Sequence, residues 1–560
     1  MCSTMAPQLP ILRLLSSSLL ALALVLTLAL LPLEWLLLLL FGALAVGLAL
    51  LDPIWAVYLA VLSVPAQELV MLPGGLSLTQ ASLLLMLASL ALHVLAFPTR
   101  PLRFGPLWGP LVCFLLTLAL SASLTPYSRS EALRELMRWT TVAVIYLATL
   151  RALPGAAWRA WGLVACLLLA PSATALIGLG QFWWGVGPES FGVGTGQVRA
   201  YGTLGQPNSF AGYMNQAWPL ALGLGVALLF FVVPLWRRSR QNGTKDGVWG
   251  AAPTAGFRAA VLNVMRMGAA SHAPPEGGRM RGNQVPAHTL HGWQVVALLL
   301  AVTTAMLLTT AALVVSFSRG GWLGALGGLT LLLLAVGFGL PAPLRRLGQR
   351  GLGAGLGLLL MVVFLGGGGL LPQAFSQRAA TVAGSLRLFD AHNVVITPAN
   401  FAVVERMAHL QAAWNMVQRH PWVGVGPGNY SVAYAALPEA GSAYFRVHPW
   451  HASRGHAHNY YLHITAEAGL IGLSAYLLLL AAVTYQAVRA VALAQAWFWR
   501  GVATGGLGVI AAVATHNLFE NLHVLNMGLQ LGAIWALLVF CCLYPVKGGS
   551  DELPHPPHKR

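Results

Sequence analysis

The amino-acid sequence predicts an all-α, polytopic membrane protein. Of its 560 residues 57% are hydrophobic and only 8% are charged, where ordinary soluble domains carry about 25% charged residues. Apolar runs recur along the chain at about 20 residues each, the length that crosses a hydrocarbon core as a helix. The short polar stretches between most of these runs are rich in arginine, as cytoplasmic loops are. Together these features predict about 12–14 transmembrane helices with one large helical extracytoplasmic loop.

The charge balance needs the same context. Lys+Arg 32 against Asp+Glu 15 gives +17. In a soluble chain that would suggest nucleic acid. Here much of it follows from the positive-inside bias, so the bilayer is the expected partner and nucleic acid is not. The cysteines are Cys2, Cys113, Cys166, Cys541 and Cys542. All but Cys2 fall in apolar runs and none has CxxC spacing, so neither a disulfide framework nor a thiolate metal site is predicted. Arg13 precedes a long apolar run without a small-residue cleavage pattern, which reads as a retained first span.

Spans are expected at residues 11–31, 35–51, 54–72, 76–97 and 104–123, with a sixth ending near Leu150 and a seventh at 160–184. Pro73-Gly74-Gly75 is a turn signal. An eighth span follows at 209–235. Residues 236–291, rich in Gly, Pro and Arg, read as a disordered cytoplasmic loop. Later spans are expected at 293–316, 322–340, 351–372, from about His458, at 501–521 and at 524–545. The loops at 98–103, 151–159, 236–291, 341–350 and 489–500 are then inside, with both termini. The segments at 185–208 and 373–457, and Arg319, are outside. Five regions follow: an N-terminal bundle at 1–184, further transmembrane helices at 185–372, the extracytoplasmic loop at 373–457, C-terminal transmembrane helices at 458–545, and a cytoplasmic tail at 546–560.

The outer segment is unusual because it is basic. It carries Arg378, Arg387, Arg406, Arg419, Arg446 and Arg454 against Asp390, Glu405 and Glu439. An anionic ligand would explain this, since the guanidinium fork fits phosphate oxygens; anionic lipid headgroups would explain it equally. Glu405 to Arg419 reads as a helix, with Met407, Leu410, Trp414 and Val417 at helical spacing, and His420-Pro421 ends it. The GVGPGNY stretch at 424–430 permits close backbone approach to a ligand or a tight turn, and it lacks a P-loop lysine. His448, His451, His456, His458 and His463 then cluster where the chain returns to an apolar span. Ionisable groups at such a boundary are a functional-site hypothesis.

Four of these stretches carry a resemblance. Ser318-Arg319-Gly320-Gly321-Trp322-Leu323-Gly324 resembles the SRGxxLG stretch of the O-antigen ligase and polymerase family. Arg406, with Pro421 and GVGPGNY after it, is similar to that family's loop motif. His458-Asn459-Tyr460-Tyr461-Leu462 with Gly469 and Gly472 resembles its HNxxLxxxxxxGxxG motif, and RAYGTLGQPN at 199–208 its GTxxxPN stretch. The matches keep their order over residues 199–472.

The resemblance implies a GT-C-like helical bundle in the cell (inner, cytoplasmic) membrane, with the active site on the extracytoplasmic side and 373–457 as a catalytic loop. It implies an inverting, metal-independent glycosyltransferase without a cofactor. The donor would be a glycan on a polyprenyl (undecaprenyl) diphosphate, and the acceptor a glycan, lipid or protein. By position, Arg319 and Arg406 would hold the donor pyrophosphate and His458 would activate the acceptor hydroxyl. Arg199, Asn208, Asn459 and Tyr460 are further candidates for substrate contact.

The chemistry is coherent without the resemblance. A diphosphate is already a good leaving group, and two arginines can stabilise its growing charge. Histidine titrates near neutral pH and suits a general base. Competing readings exist for each residue. Arg319 also reads as an interfacial anchor, Arg406 as a helix cap or a partner of Glu405, and Arg199 as an anchor. Tyr460 and Tyr461 fit sugar stacking or an aromatic belt. His463 and Glu467 stand at i, i+4 and pair on one helix face. Three other functions are open: a polymerase joining lipid-linked repeat units, a transporter or flippase of lipid-linked sugars, and a zinc site built from His448, His451, His456 and His458.

Overall fold

The structure is a computed structural model. It describes residues 33–232, 292–339, 390–436 and 455–543, apart from isolated positions within them. The expected span at 11–31, the basic segment 236–291, the span at 351–372, the tail 546–560, and His448 and His451 lie outside the described residues.

The protein is an all-α polytopic membrane protein. Among the described residues seven helices are long and apolar enough to cross a membrane, and four shorter apolar helices accompany them. In chain order the helices are α1 Leu33–Leu51, α2 Pro53–Ser63, α3 Leu78–Ala96, α4 Trp108–Leu124, α5 Arg129–Ala152 and α6 Ala157–Trp184. A short antiparallel hairpin follows, β1 Gly192–Val193 with β2 Gln197–Val198. Then come α7 Pro207–Asn215, α8 Trp218–Ala227, α9 Gly292–Val315, α10 Arg319–Gly339, α11 Phe401–Arg419, α12 Tyr430–Ala436, α13 Tyr460–Leu493, α14 Trp497–His516 and α15 Gly528–Leu543.

Several boundaries differ from the sequence expectation, each for a local reason. The span expected over 54–72 stops at Ser63, where a 3-10 turn Val64–Ala66 takes over at Pro65. The span expected over 209–235 is two helices. Pro219 has no N–H to return to Asn215, so the chain breaks at Gln216-Ala217 and restarts. On α11 the buried face is Val404, Met407, Ala408, Ala412, Ala413, Met416 and Val417, while Trp414 is exposed. Of the four residues at helical spacing Met407 and Val417 are buried and Leu410 packs partly buried against them, and the alanines on that face let the helix lie close to its neighbours.

α14 is the centre of the bundle. Its glycines meet backbone: a Cβ on Gly505 would lie 2.7 Å from Leu220 Cα, and one on Gly501 2.8 Å from Leu224 Cα. From the other side, a Cβ on Gly324 of α10 would lie 2.8 Å from Ala512 O. Small residues at helical spacing let three helices approach to backbone contact, which drives helix association inside lipid.

α13 is not one straight helix. Gly469 has φ 69 and ψ −172, so the helix is broken there. The freed groups are met by the loop after α11. Leu470 N–H donates to Pro421 O at 2.8 Å, and Ile471 N–H to Trp422 O at 3.3 Å. In return Val425 N–H donates to Ala466 O at 2.9 Å and Gly426 N–H to Glu467 O at 2.8 Å. The Glu467 carboxylate accepts from the N–H groups of Gly428 and Tyr430 at 2.9 and 3.0 Å. Gly424, at φ 69, lies so near this kink that a Cβ would fall 2.3 Å from the Glu467 backbone.

A Gly424→Ala change therefore adds left-handed strain, ~1–2 kcal/mol, to a backbone clash. Gly42 on α1 has nothing within 4 Å of a would-be Cβ. Thermal melts in detergent are expected to show a clear loss of stability for Gly424→Ala and none for Gly42→Ala.

Candidate functional site

The chain entering α13 and the turn leaving α14 meet over a buried carboxylate. Asn459 caps α13: its side chain accepts from Leu462 N–H at 2.9 Å. Tyr460 N–H donates to Asn517 O at 2.7 Å, which ties this cap to the end of α14. His458, just before the cap, is held at φ 50, a conformation rarely adopted outside glycine. Its side chain turns toward Glu520, with Nδ1 at 3.5 Å from Glu520 Oε1. His456 Nε2 lies closer to the same oxygen, at 2.8 Å.

The second carboxylate oxygen has its own partner. Asn208, at the start of α7, donates its amide N–H to Glu520 Oε2 at 2.5 Å. The Asn208 carbonyl oxygen accepts from Arg199 at 3.1 Å, and Arg199 Nε donates to Ser316 O at 2.9 Å. Arg199 and Asn208 thus reach the histidine end of the site through Glu520. The sequence reading grouped them with substrate-binding residues; in this geometry they support the carboxylate.

Electrostatics separate the two titratable roles. Burial alone would raise the Glu520 carboxyl. His456 and His458 beside it outweigh that and hold it well below the usual carboxylate range. His458 moves the other way from its ordinary value, down to about 4, through burial and then repulsion by His456, with Glu520 opposing. At neutral pH the site holds an anionic Glu520 and a neutral His458.

His456, His458 and Glu520 also have the spacing of a metal site, with their ligand atoms within 4.8 Å of one another. The donor set argues against that use. The His458 backbone N–H donates to His456 Nδ1 at 3.2 Å. Nδ1 of His456 is thus taken by that N–H, and Nε2 is turned to Glu520 at 2.8 Å and not offered to a metal.

Arg406 approaches from α11. It is half-buried and lies within electrostatic reach of both His458 and His516. Arg319 is the first residue of α10, a helix expected to begin at 322. The start of that helix rests on the end of α14: a Cβ on Gly320 would lie 2.9 Å from His516 Cδ2 and 3.0 Å from Phe519 Cβ. Ser318 caps α10, its Oγ accepting from Gly321 N–H at 3.2 Å. The helix that begins at Arg319 therefore abuts the turn that carries Glu520.

Residues 304–477 match the family model described as O-antigen ligase. This part of the chain is similar to the O-antigen ligase family. The matched stretch contains Arg319, Arg406 and His458, and ends before Glu520. No curated protein matches the chain.

Within the matched segment the motif residues divide. Asn459 is a helix cap. Tyr460 is 2% exposed, its ring 4.4 Å from that of His523 and 4.9 Å from that of Tyr476. The GVGPGNY glycines face the kink of α13 and residues Thr125 and Glu131, so close backbone approach there is to the protein's own helices. His463 lies 3.6 Å from Glu467, whose oxygens are occupied by loop N–H groups.

Sequence reasoning missed Glu520, His409 and His516. Glu520 sits four residues past α14 in a segment expected to be apolar span, and its signal was a lone carboxylate there. His409 is buried beneath the site. Its Nδ1 meets Tyr430 Oη at 3.1 Å, and its ring lies 5.8 Å from that of His458.

Two measurements test this arrangement. Asn208→Ala removes a hydrogen bond to a buried charge, a loss of about 1–3 kcal/mol in stability. Glu520→Gln tests the linkage. A carboxyl whose pKa is lowered on folding adds stability above its unfolded pKa, and that stability is lost as pH falls through the folded value. The stability gap between wild type and Glu520→Gln should be widest at neutral pH and shrink on acidification. A gap that is constant with pH contradicts the depressed carboxyl.

Proposed function

We propose that this protein is an O-antigen ligase-type glycosyltransferase. It moves a glycan from a polyprenyl-diphosphate carrier to an acceptor hydroxyl, on the extracytoplasmic side of the inner membrane. What supports this reading is a neutral His458 coupled electrostatically to Arg406, with the helix that begins at Arg319 packed on the end of α14, in a chain whose residues 304–477 match the family model described as O-antigen ligase.

The acceptor hydroxyl must lose a proton as it attacks the anomeric carbon. His458 takes it. Nδ1 lies 3.5 Å from Glu520 Oε1; a proton held on that side leaves the Nε2 lone pair to serve as the base, and the carboxylate stabilises the imidazolium that forms. Glu520 in turn is held by Asn208 and His456. The bond from the anomeric carbon to the diphosphate breaks as the new glycosidic bond forms, with inversion. Negative charge then grows on the diphosphate oxygens. Arg319 and Arg406 stabilise it, a contribution that rises toward the transition state. None of these steps calls for a metal ion, since base and charge stabilisation come from side chains.

The ligase reading is preferred to a flippase. The charged groups gather at one end of α10, α13 and α14, where a flippase would place them near mid-membrane. The acceptor separates ligase from polymerase. Purified protein incubated with a lipid-linked oligosaccharide and candidate acceptors should give a glycosylated acceptor by mass analysis. Extension of the lipid-linked unit itself would mark a polymerase, and diphosphate lipid without any glycosylated product would refute both.

His458→Ala is expected to lower transfer by at least ~100-fold while donor binding persists; near-normal turnover in that variant removes His458 from the base role. The lowered pKa sets the pH profile. A base is active above its pKa, and that of His458 lies near 4. The acid limb of kcat/KM should therefore fall well below the ordinary histidine value.

A further inference from the structure

α14 ends in a histidine that the mechanism above does not use. His516 is fully buried, and an ionisable residue at that depth in a membrane protein calls for a reason. Its hydrogen-bond network assigns its tautomer. Asn215 Oδ1 accepts from Trp218 Nε1 at 2.9 Å, which fixes the amide with its nitrogen on the other side. That nitrogen donates to Gly321 O at 3.0 Å and faces His516 Nδ1 at 3.4 Å. Nδ1 is therefore an acceptor, and the ring proton is on Nε2. Nε2 has no hydrogen-bond partner.

That unsatisfied donor has a definite address. A Cβ on Gly320 would lie 3.1 Å from His516 Nε2, so the imidazole edge rests on the first turn of α10, one residue from Arg319. A helix start is an anion site in waiting, because its first N–H groups lack intrahelical acceptors. Arg406 stands within electrostatic reach of the same ring. Glu520 does too, but its oxygens already face Asn208 and the two histidines. A buried N–H without an acceptor destabilises the fold, and a phosphate oxygen at the start of α10 would satisfy it.

We infer that His516 Nε2–H is a hydrogen-bond donor to the diphosphate of the lipid carrier, acting with Arg319 at the first turn of α10. This rests on the proposed lipid-diphosphate donor and extends it. His516 makes its bond to a non-reacting or leaving oxygen and moves no proton. Because His516 lies in α14 and Arg319 in α10, the pair grips the diphosphate from two helices. Free headgroup phosphate of the bilayer has the same chemistry, so the test must separate the two sources.

The test uses the full chain in nanodiscs and measures the dissociation constant of geranylgeranyl diphosphate for wild type, His516→Phe and His516→Gln. His516→Phe keeps a ring but has no donor, and should weaken binding about tenfold, the usual scale of a hydrogen bond to a charged group. His516→Gln keeps an N–H and should recover part of that loss. Competition by phosphatidylglycerol should be weak and insensitive to either change. Unchanged affinity in His516→Phe overturns the inference. So does an equal loss in both variants with a lowered melting temperature, or equal competition by phosphatidylglycerol. If wild type binds the diphosphate lipid and transfers no glycan, the transferase reading falls and the His516 comparison still stands. If it transfers glycan and His516→Phe keeps its donor affinity, only the His516 assignment falls.

Discussion

The constraint on which the rest depends is the broken backbone of α13 at Gly469. A helix interrupted inside an apolar bundle leaves N–H and C=O groups that water cannot reach, and each must find a partner. Residues 421–426 supply those partners strand-fashion, and the Glu467 carboxylate then takes two more N–H groups of the same loop. Ser121 and Thr125 of the α4 end bond the loop carbonyls of Val423 and Val425, both at 2.6 Å. α11 is thereby fixed to the bundle just past its last residue. Arg406, between three and four turns back along α11, inherits its position from this junction, since a helix rises about 1.5 Å per residue with little freedom once one end is set.

The second constraint is the charge of Glu520. A carboxylate with 3% side-chain exposure is tolerable only when its oxygens are hydrogen-bonded. The partners come from two separated parts of the chain, Asn208 at the start of α7 and His456 with His458 before α13, around a residue that follows α14. Burying that charge therefore selects one relative placement of these elements. It also sets the protonation state of the neighbouring histidine. Desolvation drives His458 toward its neutral form, and the anion limits how far. The same burial thus leaves His458 neutral at neutral pH, the state that the proposed base role requires.

What the sequence revealed depended on how local the cause was. The helical class and most spans follow from composition and length. Arg319, Arg406 and His458 follow from short motifs with fixed spacing. The Gly424–Tyr430 stretch was ambiguous because glycine reports only that something comes close. The structure identifies the neighbours as residues 466–471, some forty positions later, and Thr125 and Glu131, some 300 positions earlier. Asn208 and Arg199 lay in a recognisable stretch, yet their role depends on Glu520, more than 300 residues later in the chain. No periodicity encodes such a pairing. The break at Gln216-Ala217 was legible in principle, since Pro219 stands there in plain view. Continuous hydrophobicity through the site concealed it.

Small residues connect these local causes to the chemistry. Gly320 and Gly321 follow Arg319 directly and Gly324 lies about one turn on, and their missing side chains let α10 lie against Asn215, His516 and Ala512. In a soluble protein such a run would weaken a helix by about 0.5–1 kcal/mol per glycine. Here it lets a positive helix start, an arginine and an imidazole edge crowd one point. A larger residue at 320 would drive the first turn of α10 away from α14, separating Arg319 from the turn that holds Glu520. The glycines beside the arginine are therefore part of how the charge is placed, and the motif that contains them is a statement about distance as much as about charge.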